Sequence, residues 1–278
     1  MTINYASSFS KQTVQAFTLA SLTRGALSGR ADFVADSGKS VKIYTNGVAT
    51  MNDYKRTGAN RFGTPTDLEN TVQEVTCTRE RSFSTVLDAL NVLDTGGTME
   101  EAAAFLRRQI DEVITPEIDV YTLSKLAAGA DAGNVVTGTI SKTNAYELFL
   151  DANAKLDEAL TPMTDRKAWV SANAYKMLKL CDTYINKNDM GQDITMRGVI
   201  GELDGVPLIK TPAAYMPEGV DIIIAHKEAA AQPIRLEQFN IYPKTQGYSG
   251  PVVEGLVYYD AFVFNARKKS IAVVKTGA

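Results

Sequence analysis

Histidine and cysteine are nearly missing from this chain: it has one His and two Cys in 278 residues. Those counts exclude most zinc sites, any disulfide framework, and every Cys-His or Ser-His catalytic constellation except one using His226. No recognisable Ser or Cys nucleophile motif accompanies His226, and a hydrogen-bonding role at a strand end is the expectation. Cys77 and Cys181 lie far apart with no Cys-x-x-Cys and no His near either, which predicts buried thiols. Long apolar runs are missing as well. The richest, Val220–Ala225, is interrupted by Asp221 and falls far short of the roughly 20 residues of a membrane span. Met1–Ser8 is polar and lacks the charged region and apolar run of a signal peptide. A soluble chain of a reducing cytoplasm, or of something assembled there, is expected.

What is present is ordinary in bulk and uneven in detail. Hydrophobic residues make up 45% and charged residues 22%, as in globular proteins, and 30.1 kDa allows one large domain or two small ones. A net charge of −3 and a pI near 5.4 exclude a protein built to coat nucleic acid. Residues 1–61, however, hold eight basic side chains against three acidic ones, a local +5, which leaves −8 on the remainder. Such a split suggests an arm that meets nucleic acid or the acidic surface of another copy.

Residues 1–30 are Ser/Thr-rich and allow a short helix followed by an arm. Val41–Tyr44 alternates like a strand, and Val72, Val75, Phe83, Val86 and Leu87 again predict extended chain. Between these stretches lies a long, polar, Gly-punctuated excursion of the kind that is usually functional. A capping box at Thr98–Glu101 opens a helical pattern to Ala128, about 45 Å long at 1.5 Å per residue. Pro116 inside it predicts a kink or a restart. Helices are predicted at Thr143–Leu160 and Ala174–Tyr184. Strands are predicted at Ala168–Val170, around an Asp204-Gly205 turn, at Val220–Ala225, and repeatedly after Ile234, including one run from Leu256 to Phe264. Helices set between strands without strict βαβ alternation predict an α+β class.

Motifs for chemistry fail one by one. Gly38-Lys39-Ser40 lacks the first glycine of a phosphate-binding loop, since Phe33 stands in its place. Gly96-Gly97-Thr98 is explained by a turn and an N-cap. Asn186–Gly191 misses a calcium ligand at Met190. Asp111, Glu112, Glu117 and Asp119 are expected to form a solvated or subunit-facing edge beside Arg107 and Arg108 instead of an acid–base pair. No catalytic residue, cofactor or metal site is expected.

Three segments together carry a resemblance: Met51–Tyr54 through Arg61–Pro65 with Leu68–Glu74; Leu106–Asp119; and Gly205–Ile209 with Tyr259–Phe264, Lys268 and Lys269. They resemble major capsid proteins of tailed phages and prophages from Gram-positive bacteria. The resemblance implies the Hong Kong 97-type capsid fold. Residues 1–30 would be an N-terminal arm, 31–75 an extended loop, 76–140 with 227–278 a peripheral domain with a long spine helix, and 141–226 an axial domain. It implies a non-enzymatic subunit that self-assembles, as pentamers and hexamers, into the icosahedral head of a virion. Assembly would take place in the host cytoplasm, around double-stranded DNA held without sequence-specific binding and with no membrane partner. A separate scaffolding protein is expected, because the arm begins almost at Met1, and a portal goes with it. Covalent links between subunits through Lys39, Lys42 or Lys55 are not expected. Lys55, Arg56 and Arg61 are expected at subunit interfaces, docking on Glu112, Glu117 and Asp119 of neighbours. An encapsulin-type nanocompartment, or a ligand-binding α+β protein with a deep polar pocket, are the alternatives.

Overall fold

The computed structural model describes residues 21–28, 40–65, 67–94, 102–181, 201–243 and 245–277. The phosphate-loop lookalike's Gly38 and Lys39, the Thr98 capping box and the Asn186–Gly191 loop lie outside them. In chain order the elements are β1 (Ser40–Asn46), β2 (Asn70–Thr76), β3 (Arg79–Val86), α1 (Ala89–Asp94) and α2 (Ala102–Gln109). A π-helical turn (Ile110–Ile114) leads to α3 (Thr115–Gly129), β4 (Val135–Thr137), α4 (Ala145–Glu158), β5 (Arg166–Ser171) and α5 (Ala172–Lys179). Then follow β6 (Glu202–Leu203), β7 (Val206–Thr211), β8 (Val220–His226), β9 (Ala230–Ala231), β10 (Ile234–Tyr242), β11 (Val252–Tyr259), β12 (Phe262–Val263) and β13 (Ile271–Lys275).

A six-stranded sheet in the order β4-β13-β8-β5-β7-β6 forms the centre. Alternate residues of its strands point to opposite faces. Ala168, Val170, Ile222, Ile224, Ala272 and Val274 pack with Phe149, Ala152 and Leu156 of α4 and with Ala174 and Leu178 of α5. Trp169, Ile223, Ile271 and Val273 pack on the other side with Leu123 and Leu126 of α3 and with Ala26 and Leu27. Both faces are covered, which is why Ile222–Ala225 is apolar without alternation. Each large side chain so buried contributes on the order of 1.5–3 kcal/mol. Ala26 and Leu27 thus tie residues 21–28 to this core.

Hydrogen-bonding side chains set several element ends. Ser171 accepts from the Ala174 amide at 3.1 Å and starts α5 two residues before the predicted point. Asp204 (φ 51°) and Gly205 (φ 73°) make the tight turn between β6 and β7 that the Asp-Gly pair predicts. The long helical segment continues through Pro116, and the π turn is how it does so. Proline has no amide for the carbonyl four residues back, and the Thr115 amide bonds Ile110 O instead, widening the turn ahead of the ring.

The second sheet, β10-β11-β3, is antiparallel and lies against the start of α3 through Ile118, Val257 and Tyr259. Its middle strand carries Gly255 directly between Phe83 and Phe239, whose rings are 6.5 Å apart. A Cβ there would sit 2.1 Å from Phe83 Cε1 and 2.8 Å from Phe239 Cδ1. The predicted Leu256–Phe264 run is broken at Asp260 into β11 and β12, and β12 pairs instead with β9. Conversely, the two short stretches after Ile234 are one strand, β10, with an irregularity between Ile234 and Leu236.

Gly255→Val is expected to lower stability by about 1–3 kcal/mol, measured by urea unfolding, because both rings must leave their rotamers. Adding Phe83→Leu should recover part of the loss.

Candidate subunit-interaction surface

The chemistry-poor sequence directs attention to surfaces. β1 and β2 pair antiparallel from Ser40↔Thr76 to Asn46↔Asn70 and have no third strand among the described residues. A lone two-stranded ribbon is marginal in water, so this hairpin depends on what holds its root and what receives its tip. Residues 47–69 connect the strands with a structure of their own. Gly47 N donates to Glu69 O at 2.8 Å, Lys55 N to Arg61 O at 3.0 Å, and Gly63 N to Asn60 O at 2.9 Å. Gly58 and Asn60 take positive φ, 90° and 53°, to close the tip. Tyr54 and Phe62 face each other with centroids 5.1 Å apart. Nevertheless Val48, Met51 and Phe62 are 94%, 98% and 83% exposed. A preformed tip that leaves this much apolar surface in water is a candidate interaction surface. Lys55, Arg56 and Arg61 are exposed on the same tip, and Arg61 Nε donates to Gly58 O at 3.3 Å.

The root is held by two side chains that the residue pattern did not single out. Gln73 of β2 donates through Nε2 to Val263 O at 3.0 Å and accepts from Asn265 N at 2.8 Å, extending a strand-like bond across to β12. Ile43 and Val75 pack there against Phe262 and Phe264. Asp260 is 4% exposed. Its carboxylate accepts from Thr78 N (2.8 Å), Thr78 Oγ1 (3.1 Å), Tyr121 OH (2.8 Å) and Ala261 N (2.7 Å). It thereby joins the β2–β3 corner to α3 and to the β11–β12 break. A lone acid inside Tyr259-Asp260-Ala261-Phe262 was the available signal, since an acid survives burial only with such partners.

The four spine carboxylates expected along one edge are not brought together. Asp111 is exposed and Glu112 half-buried. Glu117 is engaged inside the chain, bonded by Arg81 Nε at 2.7 Å and by Tyr259 OH at 3.2 Å. Asp119 is 1% exposed, a correction to its expected place on a subunit-facing edge. It accepts from Ser21 Oγ (2.8 Å), Leu22 N (2.7 Å), Thr23 N (3.3 Å) and Thr23 Oγ1 (2.5 Å). The physical reason is helical phase: Asp119 follows Ile118 and precedes Thr122 and Leu123 on the inward face of α3, where it anchors residues 21–23. Trp169 Nε1 adds a bond to Leu22 O at 3.0 Å.

His226 accepts from the Glu228 amide through Nδ1 at 3.2 Å, a strand-end role. Cys77 and Cys181 are buried thiols. A cavity between α3 and the second sheet is lined by Arg81, Phe83, Val113, Glu117 and Tyr259, and Glu117 in it accepts from both Arg81 and Tyr259. Among the described residues no group of three His, Cys, Asp or Glu could hold a metal ion, and no helix is long and apolar enough to cross a membrane.

Burial, together with the Glu117 carboxylate, pushes the Tyr259 phenol up to about 12 from its ordinary 10. Folding therefore favours the protonated phenol. The fold keeps this contribution in full below pH 10 and loses it as the pH rises from 10 toward 12. Tyr259→Phe should flatten the fall in stability over that window, read from urea unfolding at stepped pH. Asp260→Ala strands the Tyr121 hydroxyl and the Thr78 amide and should cost about 3 kcal/mol. Faster amide exchange in β2 than in the central sheet would be its signature.

Neither a family model nor a curated protein matches the sequence. Solved structures do match over almost the whole chain. A chain of Mycobacterium phage Che8 is 18% identical, with 97% of this chain and 96% of that one covered at a TM-score of 0.77. The capsid structure of Cyanophage P-SCSP1u gives 13% identity, 98% and 93% coverage, and a TM-score of 0.79. The mature capsid of bacteriophage PhiM1 gives 15%, 98% and 92%, and 0.75. The architecture is thus the α+β Hong Kong 97-type fold of phage capsid subunits, as the resemblance implied.

Proposed function

We propose that this chain is the major capsid protein of a tailed double-stranded DNA phage or prophage, a structural and non-catalytic subunit of the icosahedral head. One observation carries the reading: a Hong Kong 97-type body matched over 98% of the chain carries an apolar, basic hairpin that its own core does not cover. Copies of the chain would meet as pentamers and hexamers, assembled in the host cytoplasm and retained in the virion. In this reading residues 1–30 lead into the body as the arm and 31–75 serve as the extended loop. Residues 76–140 with 227–278 make the peripheral domain, and 141–226 the axial domain. A scaffolding protein and a portal complete the assembly. The acidic remainder of the chain suits a container that must enclose DNA without gripping it.

Lys55, Arg56 and Arg61 would then dock the hairpin tip on a neighbour. Of the three expected partners, Glu117 and Asp119 are already committed within the subunit, which leaves Glu112 for such a contact, beside the exposed Asp111. Each exposed ion pair is worth only about 0.2–1 kcal/mol, so docking gains its effect by repetition around the shell.

Electron microscopy of the purified protein should show closed shells, or rings of five and six subunits. A chain that stays monomeric in light scattering at every concentration, with scaffolding protein supplied, rejects the reading. Reversing Arg56 and Arg61 to Glu should slow DNA-free shell formation. The wild-type rate should itself fall toward 1 M salt, where the Debye length is about 3 Å.

A further inference from the structure

The C-terminus of α4 is built against its own local preference. Leu160 N donates to Asp157 O at 2.9 Å and Thr161 N to Leu156 O at 3.0 Å, the paired bonds of a Schellman ending with Leu160 at the residue just past the helix. That position requires a left-handed backbone, and Leu160 has φ 56°, where glycine is favoured. The leucine gains no burial in return, since it is 90% exposed. Met163, also on this loop, is 64% exposed. Asp165 closes the loop with a second left-handed backbone, φ 59°.

The loop is nonetheless rigidly held from inside. Arg166 is 1% exposed. Its guanidinium donates to Pro162 O (2.9 Å), Thr161 O (2.5 Å) and Asn153 Oδ1 (2.7 Å), and it pairs with Asp157 at 2.7 Å. Lys227 N donates to Asp165 O at 2.9 Å on the far side. Two strained backbones, two exposed apolar side chains and a buried arginine bracing the carbonyls between them make a fixed protrusion. Strain of this sort persists where the surrounding structure holds it, as Arg166 does here, and it clusters at functional contacts. The protrusion is flanked by the exposed carboxylates Glu158 and Asp165.

We infer that the 157–165 loop is a preformed docking knob for a second copy of this chain, seating on the apolar and basic surface of that copy's hairpin tip. The complement is chemical on both counts. Leu160 and Met163 offer apolar surface to Tyr54 and Phe62, and Glu158 and Asp165 offer negative charge to Lys55, Arg56 and Arg61. The inference rests on the self-assembly reading above and gives the hairpin a further acceptor in place of Glu117 and Asp119, which the subunit uses internally.

Two variants test it. Leu160→Gly should raise the melting temperature of the free subunit by about 2 °C, since glycine suits the left-handed position. The same variant should raise the threshold concentration for assembly at least about tenfold, through the lost buried leucine. A merely structural residue cannot move the two in these directions together. Glu158→Lys places a cation at a helix C-terminus, which does not weaken the subunit, yet should impair assembly. Combining Glu158→Lys with Arg56→Glu should restore part of what either loses alone. Leu160→Gly assembling at the wild-type threshold, or a double variant no better than its singles, overturns the knob. A wild-type chain that forms no shells or rings overturns the self-assembly reading and the knob with it; wild-type shells with unaffected variants overturn the knob alone.

Discussion

The direction of the β1–β2 hairpin depends on one buried carboxylate. The ribbon has no core of its own, so its orientation is set where it leaves the body, and there Asp260 bonds the β2–β3 corner, the Tyr121 hydroxyl of α3 and the next backbone amide. An acid with four donors in a desolvated site fixes geometry more strictly than apolar packing does, because each unmade bond leaves a buried polar group unsatisfied. Gln73 repeats the device one strand away, bonding the backbone of Val263 and Asn265. The tip with Tyr54, Phe62, Lys55, Arg56 and Arg61 is thus presented at a fixed place, which the proposed interaction between copies would require.

The long helix serves as the connector for the rest. Glu117 reaches Arg81 and Tyr259 on the second sheet, Asp119 holds residues 21–23, and Leu123 and Leu126 enter the core of the central sheet. Three turns of one helix therefore join the start of the chain and both sheets. The π turn before Pro116 lets this helix run on without a break, keeping Ile114 and Ile118 on the same sheet. Inside the subunit, Glu117 and Asp119 of the spine are structural ties. Exposed carboxylates also lie at helix ends and loops such as 157–165, with Glu158 and Asp165.

Much of the fold was legible in the residues because it rests on local periodicity. The alternation in β1, the apolar β8, the Asp-Gly turn and the amphipathic α4 each follow from which side chains must be covered, and these elements formed close to where they were expected. The long polar excursion between two strands was visible as well, with its basic cluster. The order of these parts also carried the resemblance to capsid subunits, at a level where 10–18% identity leaves few residues to compare.

Composition alone determined that this chain is poor in histidine and cysteine, acidic overall and basic toward its start. Only the tertiary structure decided what each charge does. Asp119 and Glu112 look equivalent in the sequence, yet one is 1% exposed under Thr23 and the other sits at the surface, because a few positions along a helix rotate a side chain from solvent to core. Gln73 and Asp260 acquire their partners from segments far away in the chain. Periodicity reports which face of an element is covered, whereas hydrogen-bond partners are set by how distant elements pack, and no local pattern encodes that.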